Sequence, residues 1–516
     1  MKATRPALTI LVLAVACAVP AGAAETVVVG SKNFPENRLL AEMFARVIEE
    51  RTALQVERRL NLAGTQVCFE ALRTGAIDLY PEYTGTGLVT ILGLPARGDA
   101  TKTLIEVRRQ FRDRYDLVWL SPLGFENAYE IAVPSELARL HGLRTISDLA
   151  TGVSRDLTAG FGYEFIERED GLPGLREVYA LEFAAVLAMQ QALKYKAAAE
   201  GRIDCLDVYT TDGRLLVADL VVLEDDRGFF PPYSAAPFVR GETLRRHPEI
   251  AAALSVLAGT LDEITMRDLN LRIQEHGEPF ERVAQDALEA MNVVGERRVE
   301  TVSTRERSLL GYMWFQRADL ARQTLRHLEL AALALGLGIL IAVPLGMLLE
   351  RARGIAEPVI RVVGVTQTVP SIAILAFMIP LLGVGFRPAL VALWIYSLFP
   401  ILRNTFTGLR EASPEAVAAA RALGMTDAQI LRSVRLPLAT PVVLAGVRTA
   451  AVLIVGTATL AAFIGAGGLG EPIVAGLQLA DTSMILSGAI PAAVLAVLVD
   501  TALGLAERGL TPRGLR

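Results

Sequence analysis

The chain has 516 residues, too many for one core and about right for three units of roughly 150 residues each. Its formal net charge of −5 and the lack of a basic stripe outside a few short segments argue against nucleic acid as a partner. Hydrophobic residues reach 52% while charged residues still make up 21%, so two kinds of sequence are averaged, and the apolar kind begins after residue 326.

Lys2 and Arg5, an apolar run over 7–19 and Ala21-Gly22-Ala23-Ala24 have the layout of a secretory signal, which predicts removal of residues 1–24 and export of the domain that begins at Glu25. The run is too short to cross a bilayer comfortably. Cys17 would leave with it. Cys68 and Cys205 then remain in a compartment that permits a disulfide, but they fall in segments assigned to different lobes, so two free buried thiols are expected.

The β-branched run 26–30 reads as a strand, Ser31-Lys32-Asn33-Phe34 as a polar loop and 36–51 as an amphipathic helix. A second such unit has a helix over 64–73, a strand over 76–80 and the loop Pro81-Glu82-Tyr83-Thr84-Gly85-Thr86-Gly87. Strands alternating with helices predict an α/β domain with mainly parallel pairing, whose ligands bind in loops after strand ends. Nine of the 11 tyrosines precede residue 300, and Tyr83, Tyr129, Tyr209 and Tyr233 all sit in turn-rich stretches. A box of ring faces attracts a cation that has no hydrogen to donate, such as trimethylammonium, with about 1–2 kcal/mol from each desolvated face.

From residue 327 on, apolar stretches near 328–349, 365–384, 388–402, 441–463 and 485–506 fit a bilayer, the third being short and interrupted. With residue 25 outside, five spans put the far end inside. The charges agree: Arg351, Arg353, Arg361, the arginines from Arg403 to Arg435, and Arg508, Arg513 and Arg516 fall in inside segments. Asp500 is the clearest acid within a span, suited to lining a path, to pairing across subunits or, near the inner end, to a solvated position.

Several ordered motifs carry a resemblance. Ser-Lys-Asn-Phe from Ser31, Gly-Thr-Gln-Val from Gly64, Asp-Leu-Tyr-Pro-Glu-Tyr-Thr-Gly-Thr from Asp78, Leu-Gly-Phe-Glu-Asn-Ala-Tyr from Leu123, Tyr-Thr-Thr-Asp-Gly-Arg from Tyr209 and Leu-Glu-Asp-Asp-Arg-Gly-Phe-Phe-Pro-Pro-Tyr from Leu223 resemble the glycine betaine, choline and carnitine binding proteins of osmoprotectant ABC importers. The resemblance implies a two-lobed periplasmic binding protein of the hinged, type II-like kind. It implies a tyrosine cage at Tyr83, Tyr129, Tyr209 and Tyr233 and a carboxylate clamp at Lys32, Thr86 and Arg168. An arginine fork, a lysine and a hydroxyl suit a carboxylate. Choline has no carboxylate and would leave the two cations unsatisfied, so betaines rank above it. Asn127 stands where relatives often carry an acid.

The inside loop over 404–438 resembles the coupling loop of ABC importer permeases, with Ala418-Ala419-Ala420, Gly424 and Leu436-Pro437 at the family's spacing. Ala418 replaces the family's acid and Val434 its isoleucine; Glu415, one turn earlier, is the available substitute. Thr-Gln-Thr-Val-Pro-Ser from Thr366 and Phe-Ile-Gly-Ala-Gly-Gly-Leu-Gly from Phe463 resemble osmoprotectant permeases further. No Gly-x4-Gly-Lys-Ser/Thr loop occurs, so a separate ATP-binding subunit is expected. The four histidines lack metal-ligand spacing, and no catalytic signature, metal or cofactor is expected.

The expected organisation is a signal over 1–24; a periplasmic binding domain over 25–298, with lobe 1 at about 25–125 and 229–298 and lobe 2 at about 126–228; a tether with an amphipathic helix over 299–326; and an all-α, roughly five-span permease of the ABC importer fold over 327–516. Two copies in the inner membrane would build one pore within the lipid, each copy taking a small zwitterion. Carnitine, proline betaine, ergothioneine and choline are alternatives to glycine betaine. A ligand sensor that does not transport is the alternative of another class.

Overall fold

The computed structural model describes residues 25–95, 98–295 and 308–510. The signal segment, the start of the tether over 299–307, and Arg513 and Arg516 lie outside the described residues.

The first domain has two five-stranded sheets. The strands are β1 (Thr26–Lys32), β2 (Gln55–Leu62), β3 (Leu79–Tyr83), β4 (Leu117–Trp119), β5 (Tyr129–Pro134), β6 (Thr158–Phe161), β7 (Ala185–Ala188), β8 (Cys205–Tyr209), β9 (Leu220–Leu223) and β10 (Ala235–Arg240). They are ordered β2-β1-β3-β10-β4 and β7-β6-β8-β5-β9. The chain thus crosses from the first sheet to the second between β4 and β5 and returns between β9 and β10, and the two crossings run side by side where Glu126 bridges Ser234.

The expectation of mainly parallel pairing needs correction. β1 is parallel to β2 and β3, and β6 to β7 and β8, but β10 opposes β3 and β4, and β5 opposes β8 and β9. Strands that arrive from the other sheet enter from the opposite end, and β5 and β10 are those strands. The third strand also starts later than 76. The amides of Ala76 and Ile77 both bond Ala71 O and close the helix Gly64–Thr74, whose end turns through Gly75 at φ 77°. β3 then continues through Tyr83 because its backbone pairs with β10, Tyr83 facing Ala235. Thr84–Thr86 is a helical turn where a loop was expected. Cys68 and Cys205 are free and buried, and burial raises both thiols.

The second domain is helical. Among the described residues, four helices are long and apolar enough to cross a membrane: Arg317–Arg351, Phe386–Arg410, Asp427–Ile464 and Thr482–Gly509. Large apolar side chains such as Leu340, Phe377, Leu381 and Val497 point outward, as lipid-facing helices require. The prediction for the middle spans is corrected. The segment over 365–384 is broken by Pro370, and only Ser371–Leu382 is helical, too short to cross alone. The segment expected to be short is the continuous helix Phe386–Arg410, so the connector starts after Arg410 instead of at 404. Pro400 cannot donate to Tyr396 O inside this helix, and Gln367 Nε2 fills the gap at 2.8 Å. That gives the Thr-Gln-Thr-Val-Pro-Ser motif a mechanical role.

The first sheet sits on this helical domain. Ala63 N donates to Phe463 O at 3.0 Å, and Leu62 packs against Gly465, so close that a Cβ there would lie 2.5 Å from Leu62 Cδ2. One apolar cluster runs from Leu62, Phe69 and Leu72 into Ala461, Ile464 and Leu469.

Two long helices meet closely at Gly338, where an added Cβ would collide with Ser397 Oγ, whereas Gly336 has nothing within 4 Å. Gly338→Leu is therefore expected to destabilise by about 1–3 kcal/mol through overpacking. Gly336→Leu should be silent, as read by thermal unfolding of the detergent-solubilised chain.

Candidate ligand-binding site

The site is assembled from strand ends. Lys32 closes β1, Thr86 follows β3, Tyr129 opens β5, Tyr209 closes β8 and Tyr233 precedes β10. The antiparallel register places Tyr129 opposite Tyr209, which brings their ring centroids to 4.9 Å. Tyr233 meets Tyr129 edge-on at 5.9 Å. Tyr83 stands apart from these three, linked through Phe34, which stacks on Tyr83 at 6.1 Å and on Tyr209 at 6.3 Å. Burial pushes the hydroxyls of Tyr83, Tyr209 and Tyr233 well above their ordinary range, so the rings remain neutral and keep their electron-rich faces.

The cations beside these rings are already partnered. Lys32 Nζ bonds Glu82 Oε1 at 2.6 Å and Thr65 Oγ1 at 3.0 Å, with 5.3 Å to the Tyr83 ring. Two of its three donors are committed. Arg168 lies over Tyr129 at 5.4 Å and forks onto Asp170, with Nε 2.7 Å and Nη2 2.5 Å from the carboxylate, while Nη2 also reaches Thr86 Oγ1 at 3.4 Å. Tyr233 donates to the same Asp170 at 2.5 Å. Arg168 Nη1 is 3.8 Å from Glu164, beyond hydrogen-bond reach, and is the edge left to meet a further anion.

A cavity of about 330 Å³ lies between the lobes, lined by Phe34, Glu36, Asn127, Phe165, Tyr209 and Asn270 among others. Of the seven residues predicted for binding, only Tyr209 lines it; Lys32, Tyr83, Thr86, Tyr129, Arg168 and Tyr233 are buried behind its wall.

Two models match the chain. Residues 25–290 match the family described as the substrate binding domain of ABC-type glycine betaine transport system, and residues 311–513 match the binding-protein-dependent transport system inner membrane component. The chain belongs to these importer families. It is an integral membrane subunit of an ABC importer that carries its own binding domain, and its permease family works with a separate ATP-binding subunit. The choline transport system permease protein OpuBB of Bacillus subtilis is 48% identical over 198 residues, covering 38% of this chain and 91% of that protein. The carnitine transport binding protein OpuCC of Listeria monocytogenes is 34% identical over 270 residues, 52% of this chain and 87% of that protein. The ergothioneine transport permease/ergothioneine binding protein EgtU of Helicobacter pylori is 34% identical over 268 residues, 52% of this chain and 48% of that protein.

In the permease domain, the helix Pro414–Ala422 is capped by Ser413 and is followed at Gly424 by a turn whose φ of 80° favours glycine. Ala418 and Ala419 are exposed, as is Leu423, which sequence reasoning passed over; Ala420 turns inward with Val417 and Ile430. Leu436 and Pro437 begin the helix Leu436–Thr457, and Arg435 just before them bonds Glu350 at 2.6 Å. Glu415 accepts from Ser413 Oγ at 2.8 Å. Asp500 pairs with Arg448 within the same chain.

Sequence reasoning also missed Glu36. Its Oε1 accepts from Tyr83 and from Asn127, both at 2.7 Å, and its Oε2 from Asn270 at 3.0 Å. The signal was present: Glu36 is an acid on the face of the helix Pro35–Arg51 that also carries Leu40 and Phe44, all buried. Burial raises the Glu36 carboxyl above its ordinary value of 4.5, against the pull of its hydrogen bonds. A group raised on folding stabilises below its unfolded value, and that contribution is lost as pH rises through the folded value. Asn127 Oδ1 and Asn270 Oδ1 are buried without partners, so a proton on residue 36 has acceptors beside it once either amide turns. Glu36→Gln is thus expected to flatten the fall in thermal midpoint as pH rises above 4.5, relative to wild type; parallel curves for the two proteins would contradict this.

Proposed function

We propose that the chain binds a betaine-like quaternary ammonium zwitterion outside the inner membrane and passes it through a pore built from two copies of its permease domain. The observation that carries this reading is the cluster of neutral aromatic faces, Phe34, Tyr83, Tyr129, Tyr209 and Tyr233, beside the fixed cations Lys32 and Arg168. Ring faces suit a methylated cation, which cannot hydrogen-bond, while Arg168 Nη1, the third donor of Lys32 and the Thr86 hydroxyl suit the carboxylate at its other end. The buried Glu36 places a hydrogen-bonded carboxyl beside the Tyr83 ring. The binding domain would face the periplasm, and Ala418, Ala419, Ala420, Gly424, Leu436 and Pro437 would present the permease to the ATP-binding subunit on the inside, the outer surface of the spans being covered by lipid.

The cavity of about 330 Å³ falls within the usual range for small-molecule sites and favours a second reading, a bulkier trimethylammonium zwitterion. Similarity to binding proteins for carnitine and ergothioneine supports it. Proline betaine fits the same chemistry, and choline, which lacks a carboxylate, leaves the clamp unused.

The deciding experiment is thermal stabilisation of the full chain by glycine betaine, carnitine, proline betaine, ergothioneine, choline and ordinary amino acids, since bound ligand raises stability by mass action. A shift with a trimethylammonium zwitterion is expected; shifts with amino acids alone would overturn the cage. Tyr129→Ala or Tyr209→Ala is expected to weaken binding of the active solute at least tenfold, about 1.4 kcal/mol. In the complex with its ATP-binding subunit, Gly424→Val should abolish ligand-stimulated ATP hydrolysis and leave solute affinity unchanged.

A further inference from the structure

Two charges lie deep within the spans and still reach the surface of the chain. Arg448 stands roughly 18 Å along the helix Leu436–Thr457 from its start, and Asp500 roughly 15 Å before the end of the span Thr482–Leu510, at about 1.5 Å per residue. Both lengths run from the connector's side of the membrane, since one helix leaves that side and the other returns to it. The two counts therefore agree on one depth, inside a hydrocarbon core about 30 Å thick.

The pair is built with care. Arg448 forks onto Asp500, Nε to Oδ1 and Nη2 to Oδ2, and turns Nη1 toward Glu507, which at 4.0 Å is beyond hydrogen-bond reach. Asp500, Gly504 and Glu507 share one stripe of their helix. A Cβ at Gly504 would come within 3.4 Å of Nη1, 3.5 Å of Cζ and 3.8 Å of Nη2, so the guanidinium lies face-on across that glycine, between the two acids. Its Nη1 hydrogens are left for another acceptor.

The two side chains nevertheless remain 41% and 35% exposed on the chain's own surface. Hydrocarbon does not solvate such a pair, and ionised residues within spans face a protein partner or a water-filled path. The surface around them is of the same kind. Ala445, Thr449, Val452 and Gly456, at helical spacing on the helix that carries Arg448, are exposed, as is Thr501 beside Asp500. Small and hydroxylic residues let a second helix approach closely. The first long helix turns Leu333, Leu337, Leu340 and Leu348 outward instead, as lipid requires.

We infer that Arg448 and Asp500 line the water-filled passage between two copies of the permease and form a staging point for the zwitterion inside it. This rests on the reading of the chain as a two-copy importer of a quaternary ammonium zwitterion. Arg448 Nη1 takes the solute's carboxylate, while the carboxylates of Asp500 and Glu507 draw the methylated cation, which asks only for negative potential. Because Asp500 already shares the guanidinium's charge, the hold on the solute is weak, and a passage needs stations that release as readily as they bind. Choline, without a carboxylate, would use only half of this station.

The first arm of the test needs no solute. In the full chain in nanodiscs, with the native Cys68 and Cys205 buried, Thr449→Cys is treated with a charged, water-soluble methanethiosulfonate, and Leu340→Cys serves as the lipid-facing control. Modification of Thr449→Cys at least tenfold faster than the control is expected; equal rates would overturn the assignment of this face to the passage. The second arm uses proteoliposomes of the complex with the ATP-binding subunit and Arg448→Met combined with Asp500→Leu, which leaves no lone charge in the membrane. Uptake of whichever zwitterion stabilises the chain is expected to fall at least tenfold while the thermal shift that solute produces is unchanged, separating passage from capture. Wild-type uptake by this double variant would reduce the pair to a clip between helices and overturn the staging point. If no zwitterion stabilises the chain, the substrate reading falls by itself, and the modification rates still decide whether the pair lines the passage.

Discussion

A buried carboxylate at the start of one helix organises the region between the lobes. Glu36 takes hydrogen bonds from Tyr83 and Asn270 on one side of the cleft and from Asn127 on the other, so it fixes ring orientation and lobe approach together. Its place in the first turn of a helix suits negative charge, because the free amides there carry partial positive charge, while burial works the other way. Lys32 and Arg168 meet the same tension differently, each neutralised by its own acid, Glu82 or Asp170. Both cations are thereby held in place by the acid each one bonds.

The two crossings between the sheets set how the lobes can move. They lie side by side at the Glu126 and Ser234 bridge, while Arg214, Glu275 and the backbone of Thr210, which accepts from Arg267, stitch the seam elsewhere. Two strands running together make a hinge, and side-chain contacts at the seam make a latch. In the permease domain, Arg435 and Glu350 tie the end of the connector to the end of the first long helix through an ion pair largely shielded from water.

Much of this was legible in the sequence, for particular reasons. The motif order placed Tyr129 and Tyr209 together, and strand register explains why: residues far apart in the chain become direct neighbours when β5 and β8 pair. Family membership and the two-part architecture came from motifs with fixed spacing. Span limits did not, because hydropathy reports composition and is blind to Pro370, which breaks one segment, and to Gln367, which repairs another. The strand 79–83 was misplaced because its limits depend on β10, more than 150 residues away. The bond from Gln478 to Gln190 left no trace at all, since it arises only when two separately folded domains dock.

That docking includes a main-chain bond, from the amide of Ala63 to the carbonyl of Phe463. Main-chain groups are common to every residue except for the missing amide of proline, so side-chain drift on either surface leaves this contact available. Evolution can therefore retune how strongly catcher and pore adhere, through Leu62 or Ile464, while their relative register stays inherited. A fused importer with such an anchor is free to change its solute without having to relearn how its halves fit.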